Sequence, residues 1–276
     1  MIFGFAGAGR MGRAMVLRLL AAGHSVTVLD RSPAARGDLA AAGATVTAEV
    51  AALAAAEVAG VCVLTDAQVQ TVCLDDGLID VMAPGSALVV HTTCSPATVD
   101  LLGQQAGKRG ITVVDAAISG GPQDITAGRL TLFAGGTAQD VQRVRPFLEA
   151  YGDPILHVGP RGAGQQVKLL NNAVFAANIG LLAQAVAVGA QLGVPEGGLL
   201  QALRHGSGSS RALDGVASAG SVAGFATAVG EFLGKDLAVV RQVAADVGVD
   251  LGALAGAHDV LENFLAVTTT ASPAAG

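Results

Sequence analysis

Ile2-Phe3-Gly4-Phe5-Ala6-Gly7-Ala8-Gly9-Arg10-Met11-Gly12 decides the fold of this chain: a short strand runs into G-x-G-x-x-G, and a helix opens behind it. In such a turn Gly7 permits the tight bend, Gly9 lets the backbone approach a pyrophosphate, and Gly12 allows close helix–strand packing. The helix N-terminus presents unpaired N–H groups and a partial positive charge to phosphates. In a chain with 38 glycines the motif alone is a weak signal. Its context raises it, because a second strand, 25–29, ends in an acid at Asp30. A carboxylate there accepts hydrogen bonds from ribose hydroxyls and repels a 2′-phosphate, which favours NAD. Arg31 and Ser32 read the other way, since an Arg followed by a hydroxyl can clamp that phosphate; the guanidinium can also stack on the adenine. The cofactor expected at Gly7, Ala8, Gly9, Arg10, Met11, Gly12, Asp30, Arg31 and Ser32 is therefore NAD, with NADP open.

Outward from this unit, strand-like runs alternate with Ala-rich helical ones. Strands are expected at 2–6, 25–29, 58–64, 87–92, 111–115 and 130–134, and helices at 10–22, 33–42, 96–108 and 138–150. Alternation of this kind means an α/β fold, a parallel sheet with helices on both faces. The 130–134 run follows a turn-rich stretch and reads as an antiparallel edge. After Gly159 the β-branched runs stop and helical periodicity takes over. The expected organisation is a dinucleotide-binding Rossmann domain over 1–160, an all-helical substrate and dimerisation domain over 161–267, and a disordered tail over 268–276. Gly159-Pro160-Arg161-Gly162 marks the hinge.

Composition excludes several classes. A net charge of −6 without a basic run argues against nucleic acid as a partner. Three cysteines without C-x-x-C spacing and five scattered histidines give neither a disulfide framework nor a metal site. They point to a reducing, cytoplasmic setting, and the N-terminus shows no signal-peptide pattern. Leu169 to Pro195 carries no charge over 27 residues, long enough to cross a bilayer. Its amides Asn171, Asn172, Asn178, Gln184 and Gln191 and its Ala dominance read instead as a helix buried by its own domain and a second subunit.

Lysine is scarce: only Lys108, Lys168 and Lys235 stand beside thirteen arginines. Arg cannot replace Lys where a proton must be surrendered and regained. Lys168 has Asn172 four residues on, one helical turn away on the same face. Its neighbours Val167, Leu169 and Leu170 suggest partial burial, which with a nearby cation would lower its pKa toward the working range. Ser119-Gly120-Gly121 offers a hydroxyl and backbone N–H groups in a nest suited to a carboxylate, or is an ordinary turn. Lys235, taken alone, is a solvated helix residue pairing with Asp236.

Thr92-Thr93-Cys94-Ser95-Pro96, Asp115 to Gly121 with Gly128 to Gly136, the Lys168 segment and Lys235-Asp236-Leu237 follow the N-terminal glycines in order. Together they strongly resemble the β-hydroxyacid dehydrogenase family, from residue 1 to about 265. The resemblance implies hydride transfer between NAD and a short β-hydroxy acid, or its semialdehyde, in a homodimer or tetramer. It assigns Lys168 as catalytic lysine, with Asn172 as the amide beside it. Ser119, Gly120 and Gly121 match the grip on the substrate carboxylate. Leu64, Thr65, Thr93 and Lys235 match residues that line the cofactor side, and Lys235 also reaches the substrate. Imine reductases resemble the family but usually carry Asp or Tyr at the position of Lys168. A catalytically silent binding module would have lost that lysine. Asp66 stands where many relatives have Pro, and Arg204 to Arg211 fill the region in which the family varies its substrate contacts. The chain also ends soon after Leu265, short of a further C-terminal helix that some members carry.

Overall fold

Strand β1 (Ile2–Ala6) lies inside an eight-stranded sheet and is buried from Phe3 onward. The structure is a computed structural model that describes residues 1–270, with the side chains of 33–36, 231–232 and 266–270 outside the description. The other strands are β2 (Ser25–Leu29), β3 (Thr45–Thr47), β4 (Val58–Val61), β5 (Ala87–Val90), β6 (Thr112–Ser119), β7 (Leu130–Gly135) and β8 (Gly152–Gly159). Their order is β3-β2-β1-β4-β5-β6-β7-β8. The first six are parallel, β7 runs antiparallel to β6, and β8 is parallel to β7. Helices α1 (Arg10–Ala21), α2 (Pro33–Ala41), α3 (Asp66–Gln70), α4 (Leu78–Val81), α5 (Pro96–Gly107), α6 (Pro122–Thr126) and α7 (Ala138–Leu148) connect them.

Period-two side-chain alternation divides the core between the sheet's two faces. In β5 all four residues are buried; Ala87 and Val89 join one cluster with Phe3, Phe5 and Phe147, and Leu88 and Val90 join another with Val61, Val99 and Leu102. A strand covered on both faces is apolar throughout, which is why these runs show no polar alternation.

Strands β3 and β8 were not expected from the sequence. A three-residue strand leaves almost no pattern, and β8 opens with Asp153-Pro154 and is exposed at several positions. Pro154 has no N–H to give, and the β7–β8 register shifts beside it. The 130–134 run is antiparallel as expected, but β8 covers it, so it is not an edge. Strand β6 extends past Asp115 to Ser119 because β7 pairs with it over that length, whereas β4 and β5 stop short of their expected ends.

His91, just past β5, is completely buried. Its Nδ1 lies 2.7 Å from the carbonyl of Ala116 and its Nε2 2.8 Å from the Tyr151 hydroxyl. The carbonyl can only accept, so Nδ1 carries the proton and the tyrosine donates to Nε2. Burial pushes the His91 pKa down to about 4 and raises that of Tyr151. The neutral ring's contribution is complete above pH 6.5 and is lost as pH falls toward 4. At about 1.4 kcal/mol per pKa unit, this amounts to roughly 3 kcal/mol. Denaturant unfolding at pH 7 and pH 4.5 is expected to show that loss in the native protein. His91→Gln, less stable at pH 7, will lack this component of the pH dependence; an equal slope in both proteins would refute it.

The chain divides into two compact units, Met1–Lys168 and Leu169–Gly276. The second is built from helices: α8 (Ala163–Gln191), which begins in the first unit, then α9 (Glu196–His205), α10 (Arg211–Ser218), α11 (Val222–Asp246) and α12 (Ala253–Thr270). Its core gathers Ile179, Leu182, Leu200, Leu213, Val216, Leu237 and Leu261. Ser210 and Ser221 cap α10 and α11 by accepting from Leu213 N and Gly224 N. Thr268 to Thr270, expected in the tail, continue α12, and the rest of that expected tail, 271–276, lies outside the described residues. Among the described residues α8 by itself is long and apolar enough to cross a membrane, and 44% of its most apolar window is buried.

Candidate active site

The G-x-G-x-x-G turn joins β1 to α1, and each glycine meets a different constraint. Gly7 has φ +96°, and a Cβ there would stand 2.4 Å from the Cys62 carbonyl. At Gly12 a Cβ would fall 2.0 Å from the Gly7 carbonyl, whereas at Gly9 nothing lies within 4 Å. That open side leaves room for a pyrophosphate to approach the backbone, and no side chain caps α1 there. Strand order reverses between β1 and β4, the place where open parallel sheets bind dinucleotides.

Asp30 sits at the end of β2. Its Oδ2 accepts from Ala8 N at 2.7 Å and its Oδ1 from Ser32 N at 2.7 Å. Each oxygen keeps a second lone pair for a ribose hydroxyl. The carboxylate therefore ties the glycine turn to the end of β2, and the residues fit a dinucleotide. Arg31 forms an ion pair with Asp76 at 2.7 Å, although its own side chain is 67% exposed.

The loops after β4 and β5 are bound to each other. Thr92 Oγ1 accepts from Val63 N (2.9 Å) and donates to Val63 O (3.1 Å). Thr65 caps α3 in a reciprocal box with Gln68, while Leu64 is exposed. Asp66, where relatives often have Pro, accepts from Ser95 N (3.0 Å) and Thr98 Oγ1 (2.9 Å). The loop keeps its shape through that carboxylate, a role nothing in the local sequence announced. Thr93 lies buried between these ties.

Ser119 is half-buried at the end of β6, followed by Gly120 at φ +133°. The Gly121 N–H already donates to Asp124 Oδ2 at 2.8 Å, which starts α6. Farther back in β6, buried Asp115 accepts from Gly162 N (2.7 Å) and Gln165 N (2.9 Å) at the start of α8. Burial pushes its carboxyl pKa up, and these backbone bonds pull it back. The Gln165 side chain accepts from Cys94 N (3.0 Å) and donates to Thr92 O (2.9 Å). Lys168, half-buried, follows on the same helix.

In the second unit Asn172 is buried and its amide donates to Asp236, while its oxygen accepts from Asn171 at 3.1 Å. Lys235 Nζ stands 3.1 Å from Asp236 Oδ1, within ion-pair range but out of hydrogen-bond alignment. Lys235 thus does pair with Asp236, and Asp236 in turn holds Asn172. Arg204, in the variable region, pairs with Asp214 at 3.0 Å. Sequence reading passed over Asp66, Asp115, Asp124, Gln165 and Asp236 as functional candidates. Asp115, Gln165 and Asp236 lay inside quoted motifs without being singled out, and a polar residue in an apolar strand was the available signal for Asp115.

Residues 2–159 match the family model described as the NAD binding domain of 6-phosphogluconate dehydrogenase. Residues 162–272 match that of the NAD-binding of NADP-dependent 3-hydroxyisobutyrate dehydrogenase. The chain belongs to the β-hydroxyacid dehydrogenase family. It is an NAD(P)-dependent oxidoreductase of hydroxy acids. A 3-hydroxyisobutyrate dehydrogenase of Pseudomonas aeruginosa is 34% identical over 267 residues, 91% of this chain and 88% of the relative. An NAD-dependent L-serine dehydrogenase of the same organism is 34% identical over 212 residues, 76% and 71% of the two chains. The structure of a Mycobacterium tuberculosis 3-hydroxyisobutyrate dehydrogenase with L-serine superposes with a TM-score of 0.85. It is 27% identical and covers 96% of this chain and 94% of its own. A Streptomyces aurantiacus imine reductase, 22% identical with a TM-score of 0.69, shares the fold alone.

Proposed function

We propose that this β-hydroxyacid dehydrogenase acts on 3-hydroxypropanoates substituted at C2, with NAD preferred and Lys168 as proton acceptor and donor. The names of three relatives support the substrate class: 3-hydroxyisobutyrate, L-serine and 2-(hydroxymethyl)glutarate dehydrogenases. Their substrates share one unit, a carboxylate whose α-carbon bears a hydroxymethyl group, and differ only in the other α-substituent. The observation that carries the mechanism is the half-buried lysine on an otherwise uncharged helix, with Asn172 one turn on.

In oxidation the neutral Lys168 amine takes the hydroxyl proton while the C3 hydrogen leaves as hydride, producing the aldehyde; reduction returns both. When bound, the nicotinamide receives or supplies that hydride. The Ser119 hydroxyl and Gly120 amide hold the substrate carboxylate, since Asp124 has taken the Gly121 N–H. Asn172, aimed by Asp236, has a second amide hydrogen for the reacting oxygen. Thr65 and Thr93 line the nicotinamide side.

A panel of 3-hydroxyisobutyrate, serine, 2-(hydroxymethyl)glutarate and 4-hydroxybutyrate with NAD and NADP, followed at the nicotinamide absorbance, tests the reading. At least one of the first three should exceed 4-hydroxybutyrate in kcat/KM by about tenfold or more, because one added methylene moves the reacting carbon off the lysine. Preference for the unbranched 4-hydroxy acid would refute it.

The protein forms a homo-oligomer through α8. Leu170, Val174, Leu181 and Val188 recur at helical spacing and are 57%, 50%, 60% and 44% exposed. An apolar stripe of this kind marks an interface, and a two-fold partner closes it without leaving a free surface. Light scattering at micromolar concentration should give at least twice the chain mass, and Leu181→Glu should lower it. A native monomer would overturn the assignment. The thiols of Cys62, Cys73 and Cys94, none in a disulfide, suit the reducing cytoplasm, and burial pushes the Cys73 thiol up to about 12, leaving it inert.

A further inference from the structure

The first turn of α8 is fastened twice, to β6 and to the loop after β5. Asp115, in the middle of β6, caps it by accepting from Gly162 N and Gln165 N at 2.7 and 2.9 Å. Gln165 then reaches outward to the loop after β5, binding Cys94 N and Thr92 O on either side of Thr93. Both side chains are fully buried. The helix approaches as closely as backbone allows: a Cβ on Gly164 would stand 2.3 Å from the Phe133 carbonyl and 2.7 Å from Asp115 Oδ2. One on Gly135 would stand 2.4 Å from Asp115 Oδ1.

Helix formation alone does not call for this. An ordinary cap is a Ser, Thr, Asp or Asn just before the helix, whereas this one comes from 47 residues back in the chain. Nor does a helix gain local stability when its own Gln side chain is spent on a loop. Both groups, however, connect places where the proposed chemistry resides. Asp115 and Ser119 share β6, four residues apart on one rigid strand. Gln165 and Lys168 share α8, three residues apart, and the Gln165 bonds flank Thr93.

We propose that Asp115 and Gln165 are positioning residues that set the Lys168 turn in register with Thr93 and with the Ser119 carboxylate grip. This rests on the reading of Lys168 as the proton-transfer group. A general base must stand within hydrogen-bond reach of its proton, and a displacement of about 1 Å can cost about 10²-fold.

The test is a double-mutant cycle of Gln165→Met with Lys168→Ala. Methionine keeps length and volume but leaves Cys94 N and Thr92 O without the amide. Gln165→Met should lower kcat about 10- to 100-fold, with the NAD dissociation constant, read by fluorescence titration, changed less than about threefold. In the Lys168→Ala background it should cost less than about threefold, because the lysine it misplaces is gone. A full loss in both backgrounds would show general support of the fold, and an undiminished kcat in Gln165→Met would show no role; either overturns the proposal. Gln165→Asn, which keeps the amide but falls one methylene short, must repeat the pattern and stands in if the methionine variant does not fold. The Lys168→Ala single variant reads the lysine assignment on its own: native turnover there refutes that assignment, and this one with it.

Discussion

Lys168→Ala and Lys168→Arg are both expected to lose turnover by about 10²- to 10⁴-fold, the usual contribution of general acid–base transfer. NAD binding should change little, because the glycine turn and Asp30, which we propose hold the dinucleotide, do so without this side chain. The arginine variant is the sharper experiment. Guanidinium keeps the positive charge and reaches a similar distance, but it does not give up its proton at any working pH. If charge alone polarised the substrate oxygen, Lys168→Arg would keep turnover within about tenfold, and the proton-transfer role would fail. The pH profile offers a second readout. The limb of kcat/KM that follows lysine ionisation should vanish in both variants, whereas a merely destabilised enzyme would keep it.

Asp30→Asn should shift the ratio of kcat/KM for NADP over NAD by about 10- to 100-fold toward NADP, at about 1.4 kcal/mol for each factor of ten. Losing the carboxylate removes its repulsion of a 2′-phosphate. Arg31 is at hand to pair that phosphate. Its present bond to Asp76 is a surface ion pair worth no more than about 1 kcal/mol, so exchanging partners is cheap. Part of the shift comes from weaker NAD use. An asparagine accepts through Oδ1 alone, so either Ala8 N or Ser32 N would face an amide donor in place of an oxygen. NADP preference in the native enzyme, or an unchanged ratio in the variant, would show that the 30–32 segment does not discriminate as described.

The sequence alone determined the α/β class, the strand–glycine–helix unit and the helical second half. These follow from near-neighbour rules: a two-residue period for strands, a helical period for Ala-rich runs, and glycine where the backbone must turn or approach. Family membership was legible for the same reason, since its motifs are short and contiguous. Lys168 and Asn172 could be placed on one helix turn because four residues make one turn. Tertiary structure alone decided what stands between those motifs. Strand β8 covers β7 despite carrying Asp153-Pro154, because a neighbour supplies the pairing that local propensity denies. Asp66 holds the loop after β5, Asp236 holds Asn172, and Asp115 caps a helix 47 residues away. None of these pairings leaves a trace in spacing. A buried polar group needs a partner, but the chain can bring that partner from any distance, and only the packed fold shows which one it brought.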